Sequence, residues 1–131
     1  MGAVLLDTSV VIDCLRGREG AHRRVLALRD AGDDAFVCAV TVEEATRGLR
    51  PEEDDALLAL LAGLRVAPLG VPEGRLAGFW KRMLSRRGRT ISQSDALIAA
   101  AAAGVGARLA TGNPKDFPMP GLIVEHWPAG E

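Results

Sequence analysis

Four acidic residues stand where helices are predicted to begin, each beside hydroxyl or amide residues. They are Asp7 in DTS (7–9), Glu44 in TVEE (41–44), Asp95 in SQSD (92–95) and Asp116 in NPKD (113–116). Carboxylates that meet in one cleft repel one another and take up protons unless a cation compensates for their charge. Hard oxygen ligands select Mg²⁺ or Mn²⁺, and such an ion polarises a phosphate and lowers the pKa of a bound water. The acids therefore suggest metal-assisted phosphoryl chemistry.

Helix capping is the competing explanation for each of these acids. Glu44, Asp95 and Asp116 each stand three positions after a hydroxyl or amide residue, which is the spacing of a capping box. A carboxylate there also meets the positive end of the helix dipole. For any one of the acids taken alone, capping is the favoured role. Capping does not require the acids to meet, however, so their joint position in the fold separates the two explanations.

Short apolar runs alternate with longer helical stretches, a pattern that predicts an α/β fold with a mostly parallel sheet. Strands are predicted over 3–6, 35–38, 65–68, 108–110 and 122–125, and helices over 9–15, 19–31, 42–49, 51–64, 72–87 and 92–103. If the strands are parallel, Asp7, Glu44 and Asp116 emerge at one carboxyl edge, where such sheets bind ligands. Asp95 joins them only if its helix starts at that edge and runs antiparallel to the strands.

Composition bounds the kinds of partner. The chain has 131 residues, a typical size for one domain, and a formal net charge of −1. Any contact with nucleic acid must therefore come from a local basic patch. Aromatic residues make up 4% of the chain and Tyr is absent, which argues against an aromatic platform for base stacking.

Cysteines, histidines and hydropathy predict a cytoplasmic protein with no membrane partner. Cys14 and Cys38 form no C-x-x-C motif and are predicted to be structural thiols of a reducing compartment. His22 and His126 are isolated, so no zinc motif competes for a metal. The N-terminus lacks a secretory signal pattern, and the longest uncharged stretch, 96–107, is shorter than the roughly 20 residues of a membrane span.

Four sequence blocks together resemble the PIN-domain ribonucleases, above all the VapC toxins of toxin–antitoxin pairs. They are VLLDTSVVIDCLRG (4–17), VEEATRG (42–48), DALIAAAA (95–102) and ATGNPKDF (110–117). The resemblance implies a single PIN domain over 1–131, a three-layer α/β/α fold with a central, mostly parallel sheet of four to five strands. It also implies an endoribonuclease that depends on Mg²⁺ or Mn²⁺ and hydrolyses RNA phosphodiester bonds with a metal-activated water.

The resemblance assigns the acids roles at their own positions. Asp7 matches the acid that ends the first strand, Glu44 the Glu of the E-x-x-x-G motif, and Asp95 the acid that opens the D-x-x-I-A-A helix. These three residues are the implied metal ligands and, with Asp116, the implied catalytic acids.

The fourth acidic position departs from the family pattern. Many PIN domains carry an Asp two residues after the motif threonine, Thr111, whereas this chain has Asn113 there, with Asp116 a turn further on. The substitution removes one charge from the immediate site and counts against tight binding of a second metal ion. Ser9 and Thr111 are predicted to hydrogen-bond a metal ligand, with a helix cap as the alternative role for Ser9.

Candidate RNA contacts come from basic residues. Arg47 stands three residues after Glu44, so an ion pair within the helix is its alternative role. The run KRMLSRRGR (81–89) has five basic residues and no acid. A solvated helix face is an equally good explanation of that run. Its basic members are Lys81, Arg82, Arg86, Arg87 and Arg89.

The family resemblance also implies partners. It predicts a cognate VapB-like antitoxin, which would insert a segment against the acidic cleft, and a homodimer. The 52–64 helix has an apolar face that suits either a partner or the core, and burial in its own core is favoured.

Alternative functions remain open at this point. They are a stand-alone RNA-processing PIN nuclease, a phosphatase of the haloacid-dehalogenase type and a non-catalytic binding module. The phosphatase chemistry requires a second acid two residues after Asp7, where this chain has Ser9.

Overall fold

A computed structural model describes residues 2–131, in which five strands alternate with six α-helices. The strands are β1 (Ala3–Leu6), β2 (Asp34–Val37), β3 (Arg65–Val66), β4 (Arg108–Thr111) and β5 (Val124–His126). The helices are α1 (Thr8–Leu15), α2 (Glu19–Asp30), α3 (Ala39–Gly48), α4 (Asp54–Ala62), α5 (Val71–Arg86) and α6 (Gln93–Gly104), with short 3₁₀ turns at Pro51–Glu53 and Pro114–Asp116. None of these helices has the length and apolarity needed to cross a membrane.

The strands form one sheet in the order β3-β2-β1-β4-β5, and every neighbouring pair is parallel. In the central register Leu5 lies opposite Phe36 on one side and Leu109 on the other. The chain leaves β1 toward β2 and β3 and later returns to its other side with β4. The strand order therefore reverses between β1 and β4, the place where open α/β sheets form their ligand crevice.

Helices cover both faces of the sheet because the strand residues alternate between two apolar clusters. Leu5 packs in one cluster with α5 and α6, where Trp80 and Ile98 are buried. Leu6 packs in the other cluster with α1, α2 and α4, where Val10 and Leu57 are buried. The three-layer α/β/α architecture with a parallel sheet is thus confirmed.

Helix α6 is the element that decides where Asp95 lies. Its alanines at 99–102 are fully buried, which allows the helix to pack closely against the sheet. A turn with Gly106 at φ 65° connects α6 to β4. Since α6 leads directly into a strand of a parallel sheet, its N-terminus lies at the carboxyl edge, as Asp95 requires.

Several predicted boundaries differ from the structure. The helix predicted from residue 42 begins at Ala39, with Cys38 at its N-cap, so Thr41 is a buried residue of the first turn rather than a cap. The helix predicted over 51–64 is divided into a 3₁₀ turn and α4, in which Leu57 is buried and Leu58 is exposed. Both changes reflect packing that local propensity does not encode.

The two cysteines are free and buried, as predicted for structural thiols. Burial raises the pKa of the Cys14 thiol to about 11, with a further contribution from the charge of Asp13. Neither thiol therefore has the character of a reactive cysteine.

Candidate active site

Asp7 occupies the N-cap position of α1, yet its carboxylate does not cap the helix. Instead, Asp7 Oδ2 accepts hydrogen bonds from Ser9 Oγ at 3.0 Å and from Thr111 Oγ1 at 2.7 Å. Only 6% of the residue is exposed. The capping explanation is therefore wrong for Asp7, and the predicted hydrogen bonds of Ser9 and Thr111 to this acid are present.

The two hydroxyls are oriented by the loop that follows β4. Ser9 Oγ accepts the Gly112 N–H at 3.0 Å, and Thr111 Oγ1 accepts the Asn113 N–H at 3.0 Å. Each hydroxyl has a single proton, which is thereby directed toward Asp7. The DTS segment and the loop after β4 therefore form one hydrogen-bonded unit around a buried carboxylate.

Burial raises the pKa of Asp7 above its ordinary value, and the negative charge of Glu44 adds to the rise. The hydrogen bonds from Thr111 and Ser9 act in the opposite direction, because they stabilise the ionised form. An ionised Asp7 is thus partly compensated by hydroxyl donors, and a nearby cation would complete the compensation.

Glu44 is held by a residue that the sequence analysis did not single out. Thr8 Oγ1 donates to Glu44 Oε1 at 2.6 Å and lies 3.1 Å from the buried Thr41 Oγ1. These contacts fasten the start of α1 to α3. The sequence signal for this role is the position of Thr8 between Asp7 and Ser9 in the DTS segment.

Glu43, the neighbour of Glu44, faces solvent. Its carboxylate forms an ion pair with Arg47 at 2.7 Å, and the two side chains are 60% and 68% exposed. The ion pair expected for Arg47 thus exists, but its partner is Glu43 and not Glu44. Of the two neighbouring acids, Glu44 is the half-buried one, and it lies beside the DTS segment.

Asp95 lies in the first turn of α6. Its backbone N–H takes part in the helix cap, while its carboxyl group belongs to the acidic cluster. Ser92 Oγ caps the helix by accepting the Asp95 N–H at 3.0 Å. Burial raises the pKa of the Asp95 carboxyl, and the charges of Asp7, Asp116 and Glu44 raise it further. The charges of the other three acids therefore all reach Asp95 at the carboxyl edge of the sheet.

Asp116 and Asn113 form the exposed rim of this cluster. Asp116 ends the Pro114–Asp116 3₁₀ turn, and its charge acts on Asp95. Asn113 precedes that turn without a side-chain cap, so the capping role predicted for NPKD is wrong. The capping roles expected within TVEE and NPKD are both absent, while the one within SQSD is present.

The structure divides the basic run at 81–89 into two groups. Lys81 Nζ donates to the Ile91 carbonyl oxygen and the Arg89 guanidinium donates to the Lys115 carbonyl oxygen. These two side chains brace the segments beside Asp95 and Asp116. Exposed side chains of α5 and its C-cap form the second group, namely Arg82, Arg86 and Arg87.

The donor chemistry of the cluster suits a hard divalent cation. Its charged groups are carboxylates, and the two histidines of the chain are exposed elsewhere, His22 on α2 and His126 on β5. Within residues 2–131, no three Asp, Glu, His or Cys side chains lie close enough to form a ready-made metal cluster. Neighbouring carboxylates nevertheless raise the pKa of Asp7 and of Asp95, so a cation at this edge would offset their mutual repulsion.

Comparison with known proteins defines the class of this fold and site. The profile of the PIN domain matches residues 4–118. Ribonuclease VapC10 of Mycobacterium tuberculosis is 35% identical over 116 residues, which cover 88% of this chain and 86% of that protein. Ribonuclease VapC19 of the same species is 31% identical over 115 residues, covering 88% and 92% respectively. The chain therefore belongs to the PIN-domain family, with VapC ribonucleases as its relatives, as the motifs predict.

Solved structures agree on the fold. VapBC2 from Rickettsia felis, bound to a promoter DNA fragment, matches with a TM-score of 0.83 at 21% identity, over 95% of this chain and 98% of that chain. DNA-bound VapBC from Salmonella typhimurium also matches with a TM-score of 0.83, at 23% identity over 97% and 99%. The assignment of residues 1–131 to a single domain stays a prediction, and Met1 lies outside the described residues.

Proposed function

We propose that the protein is a divalent-metal-dependent endoribonuclease and the toxin of a VapBC-type toxin–antitoxin pair. One observation carries the proposal: the carboxylate of Asp7 is buried, is held by two hydroxyl donors and does not cap its helix. A buried carboxylate costs stability unless it is hydrogen-bonded and paired with a positive charge, and a bound cation would supply that charge here. The charge of Glu44 acts on this carboxylate, and the charges of Asp7, Glu44 and Asp116 act on Asp95 at the same edge of the sheet, in a chain 35% identical to a ribonuclease.

Asp7, Glu44 and Asp95 would hold Mg²⁺ or Mn²⁺, with Asp116 as a fourth acid at the rim. When bound, the ion would polarise the scissile phosphate and lower the pKa of a water molecule that attacks it. These are the hard ligands that such ions prefer.

The chain's own residues would prepare this site before RNA arrives. The hydrogen bonds from Ser9 and Thr111 favour the ionised form of Asp7 and fix the orientation of its carboxylate. Thr8 fixes Glu44 in the same way. These hydroxyls are therefore positioning residues, because they act on the reaction through the acids they bind.

A cognate VapB-like antitoxin is the proposed protein partner. The similar solved structures include VapBC complexes from two bacteria, each bound to DNA. A basic side chain of an antitoxin would neutralise the acidic cluster through charge-assisted hydrogen bonds. The homodimer and the cytoplasmic location stay predictions.

The decisive experiment measures cleavage of a labelled single-stranded RNA of mixed sequence by the purified chain. We expect cutting with Mg²⁺ or Mn²⁺, none with EDTA, and none by the Asp7→Asn and Asp95→Asn variants. Asp55→Asn is the matched control, because Asp55 is an exposed acid in the first turn of α4. Cleavage that survives EDTA or both site variants would overturn the proposal.

The other candidate functions lack comparable support. A haloacid-dehalogenase-type phosphatase needs an acid where Ser9 stands, and Ser9 instead donates to Asp7. If the protein were a non-catalytic module, its acids would serve as helix caps. At the four segments that carry the acids, however, the side chain that caps a helix is that of Ser92. A stand-alone processing nuclease would share the chemistry and would lack an antitoxin gene beside its own.

A further inference from the structure

The outward face of α5 carries a stripe of arginines around an exposed aromatic ring. Arg75, Phe79, Arg82 and Arg86 fall within an arc of about 60° on a helix of about 3.6 residues per turn. All four are exposed, and 49% of Phe79 is accessible to solvent. The opposite side of the helix packs in the core through its buried residues, Ala77, Trp80 and Leu84. We call these four residues the α5 stripe.

The positive charge of the α5 stripe is not compensated. Among the ion pairs within residues 2–131, none involves Arg75, Arg82 or Arg86. Glu73 is the acid of this helix, and it accepts the Gly70 N–H at 2.8 Å at the helix start, on the other side. The stripe therefore presents three arginines with no acid among them.

A hollow of about 550 Å³ lies along the same face. Its lining includes Arg75, Phe79 and Arg82 of the stripe, together with Gly74, Leu76 and Gly78. A Cβ atom at Gly74 or Gly78 would meet nothing within 4 Å, so the space beside these two glycines is open. The hollow thus brings one aromatic residue and two arginines to the same open space.

We propose that the α5 stripe binds single-stranded RNA, with a nucleobase stacked on Phe79 and phosphates on the arginines. This inference rests on the proposed ribonuclease function and names the surface that holds the substrate. Stacking on an aromatic ring accepts any base, and arginines track the backbone without reading sequence. Because Phe79 is a single exposed ring, the stripe needs none of the aromatic platform that composition argues against.

The position of the α5 stripe relative to the acids supports this assignment. Arg75 and Arg86 are about 16 Å apart along the helix axis, a span of several nucleotides. The helix ends at Arg86, and a short connection then leads to Ser92 and Asp95 at the start of α6. Lys81 and Arg89 bind backbone carbonyl groups and fix this connection and its neighbouring loop. RNA on the stripe is thereby guided toward the acidic cluster.

A second copy of this chain is the other occupant to consider. Two copies that met through this face would place their arginines against each other, with no acid on the stripe to pair them. Like charges at a contact are unfavourable, whereas a polyanion complements the same surface. The charge of the stripe thus favours RNA over self-association.

Binding is tested by fluorescence anisotropy of a labelled single-stranded RNA of mixed sequence, with the full chain carrying Asp95→Asn to prevent cleavage. We expect Phe79→Ala to raise Kd about five- to one-hundred-fold. Phe79→Leu keeps apolar area without the ring and should be similarly weak. Arg82→Gln and Arg86→Gln should each reduce the slope of log K against log salt by about 0.7. Arg23→Gln, on the exposed part of α2 across the sheet, is the control and should leave both quantities unchanged.

Thermal unfolding of each variant checks that these exposed substitutions leave the fold intact. The inference is overturned if folded Phe79→Ala and Arg82→Gln variants bind RNA as the parent does. It is also overturned if sedimentation shows that Phe79→Ala changes the oligomeric state while RNA affinity is retained. If the wild-type chain fails to cut RNA with either metal but the stripe variants weaken binding, the nuclease proposal fails and the binding surface stands.

Discussion

Thr111 Oγ1 lies 2.7 Å from Asp7 Oδ2, although 104 positions separate the two residues in the chain. The contact joins the carboxyl ends of β1 and β4, the neighbouring strands between which the strand order reverses. Because Thr111 Oγ1 also accepts the Asn113 N–H, its proton is directed at the carboxylate. The fold therefore delivers a preorganised donor to the acid that the proposed mechanism needs most.

Replacement of Thr111 by Val should weaken metal binding with little change of shape. The variant removes the hydroxyl from a fully buried position and leaves Asp7 with one fewer donor. We expect metal affinity to fall about 10- to 100-fold and the free energy of unfolding to fall by about 1–3 kcal/mol. Titration calorimetry with Mn²⁺ and urea unfolding measure the two effects.

Thr46→Val is the matched control for that substitution. Thr46 is exposed and donates to the Val42 carbonyl oxygen within its own helix. We expect its free energy of unfolding to change by no more than about 0.5 kcal/mol and its Mn²⁺ affinity to stay the same. An equal loss of affinity in both variants would contradict a specific role for Thr111.

Glu44 and its neighbour Glu43 should respond differently to the same change. Glu44→Gln removes a charge from the acidic cluster and should abolish metal-dependent RNA cleavage. Glu43→Gln removes only an exposed ion pair with Arg47, which solvent screens, so cleavage should persist. Rates of RNA cleavage for the two variants show which glutamate belongs to the active site. Loss of activity in Glu43→Gln alone would assign that role to Glu43.

Thr8→Val tests the contact that positions Glu44. It removes the donor that lies 2.6 Å from Glu44 Oε1, whereas Thr8→Ser retains it. We expect cleavage to fall about 10- to 100-fold in the Val variant and to recover in the Ser variant. Cleavage assays at saturating metal compare them, and equal activity of Val and Ser variants would show that the hydroxyl is dispensable.

The sequence predicts the parts of the site that depend on strand ends and motif spacing. β1 is predicted with its observed bounds, Ala3–Leu6, because its apolar run stops at an acid. The bounds of β1 are encoded by residues close together in the chain. The placement of Asp95 is conditional on the direction of its helix, and the structure decides it because α6 leads directly into the parallel strand β4.

The features that the sequence did not predict depend on tertiary contacts. Helix α3 begins one turn earlier than predicted. The sequence does not predict this start, because nothing near residue 39 marks it and Cys38 has no capping side chain. That extra turn contains Thr41, which lies beside Thr8, whereas Arg47 pairs with Glu43 because the two are four residues apart on the helix. The hydroxyl of Thr8 acquires its role only when α1 and α3 pack together.

The dependence of stability on pH should have opposite signs at Asp7 and Asp33. Burial raises the pKa of Asp7, so the folded chain binds this proton more tightly than the unfolded chain does. In the metal-free protein, the contribution of Asp7 to stability is therefore lost as the pH rises from the ordinary pKa of this carboxyl through its raised pKa in the folded state. Metal-free Asp7→Asn should thus be at least as stable as the wild type at neutral pH.

Asp33 provides the control of opposite sign. Hydrogen bonds from the Arg108 guanidinium and the Gly2 N–H lower its pKa. Its contribution is present above the ordinary pKa and disappears as pH falls through the lowered one. Asp33→Asn should therefore destabilise the protein at neutral pH and converge with the wild type in acid. Thermal unfolding in EDTA across this range, with each variant compared with wild type, measures both signs.

Excess Mn²⁺ extends the same comparison to the proposed metal site. A ligand at 100 times its Kd stabilises the folded state by about 2.7 kcal/mol. We expect wild type and Asp33→Asn to gain such stability at neutral pH, and Asp7→Asn to gain much less. An equal gain in Asp7→Asn would place the metal elsewhere.

Adding a carboxylate at position 113 and removing one at position 116 should have opposite effects on the site. Asn113 directly follows Gly112, whose N–H binds Ser9, and so lies next to the hydrogen-bonded residues around Asp7. Asp116 lies on the exposed rim, and its charge acts on Asp95. Asn113→Asp adds a carboxylate close to the cluster and should tighten Mn²⁺ binding, with a second binding event appearing in calorimetry. Asp116→Asn should weaken cleavage modestly, because solvent screens an exposed charge. Tighter metal binding in Asp116→Asn, or no change in Asn113→Asp, would show that the fourth acidic position does not set metal affinity in this chain.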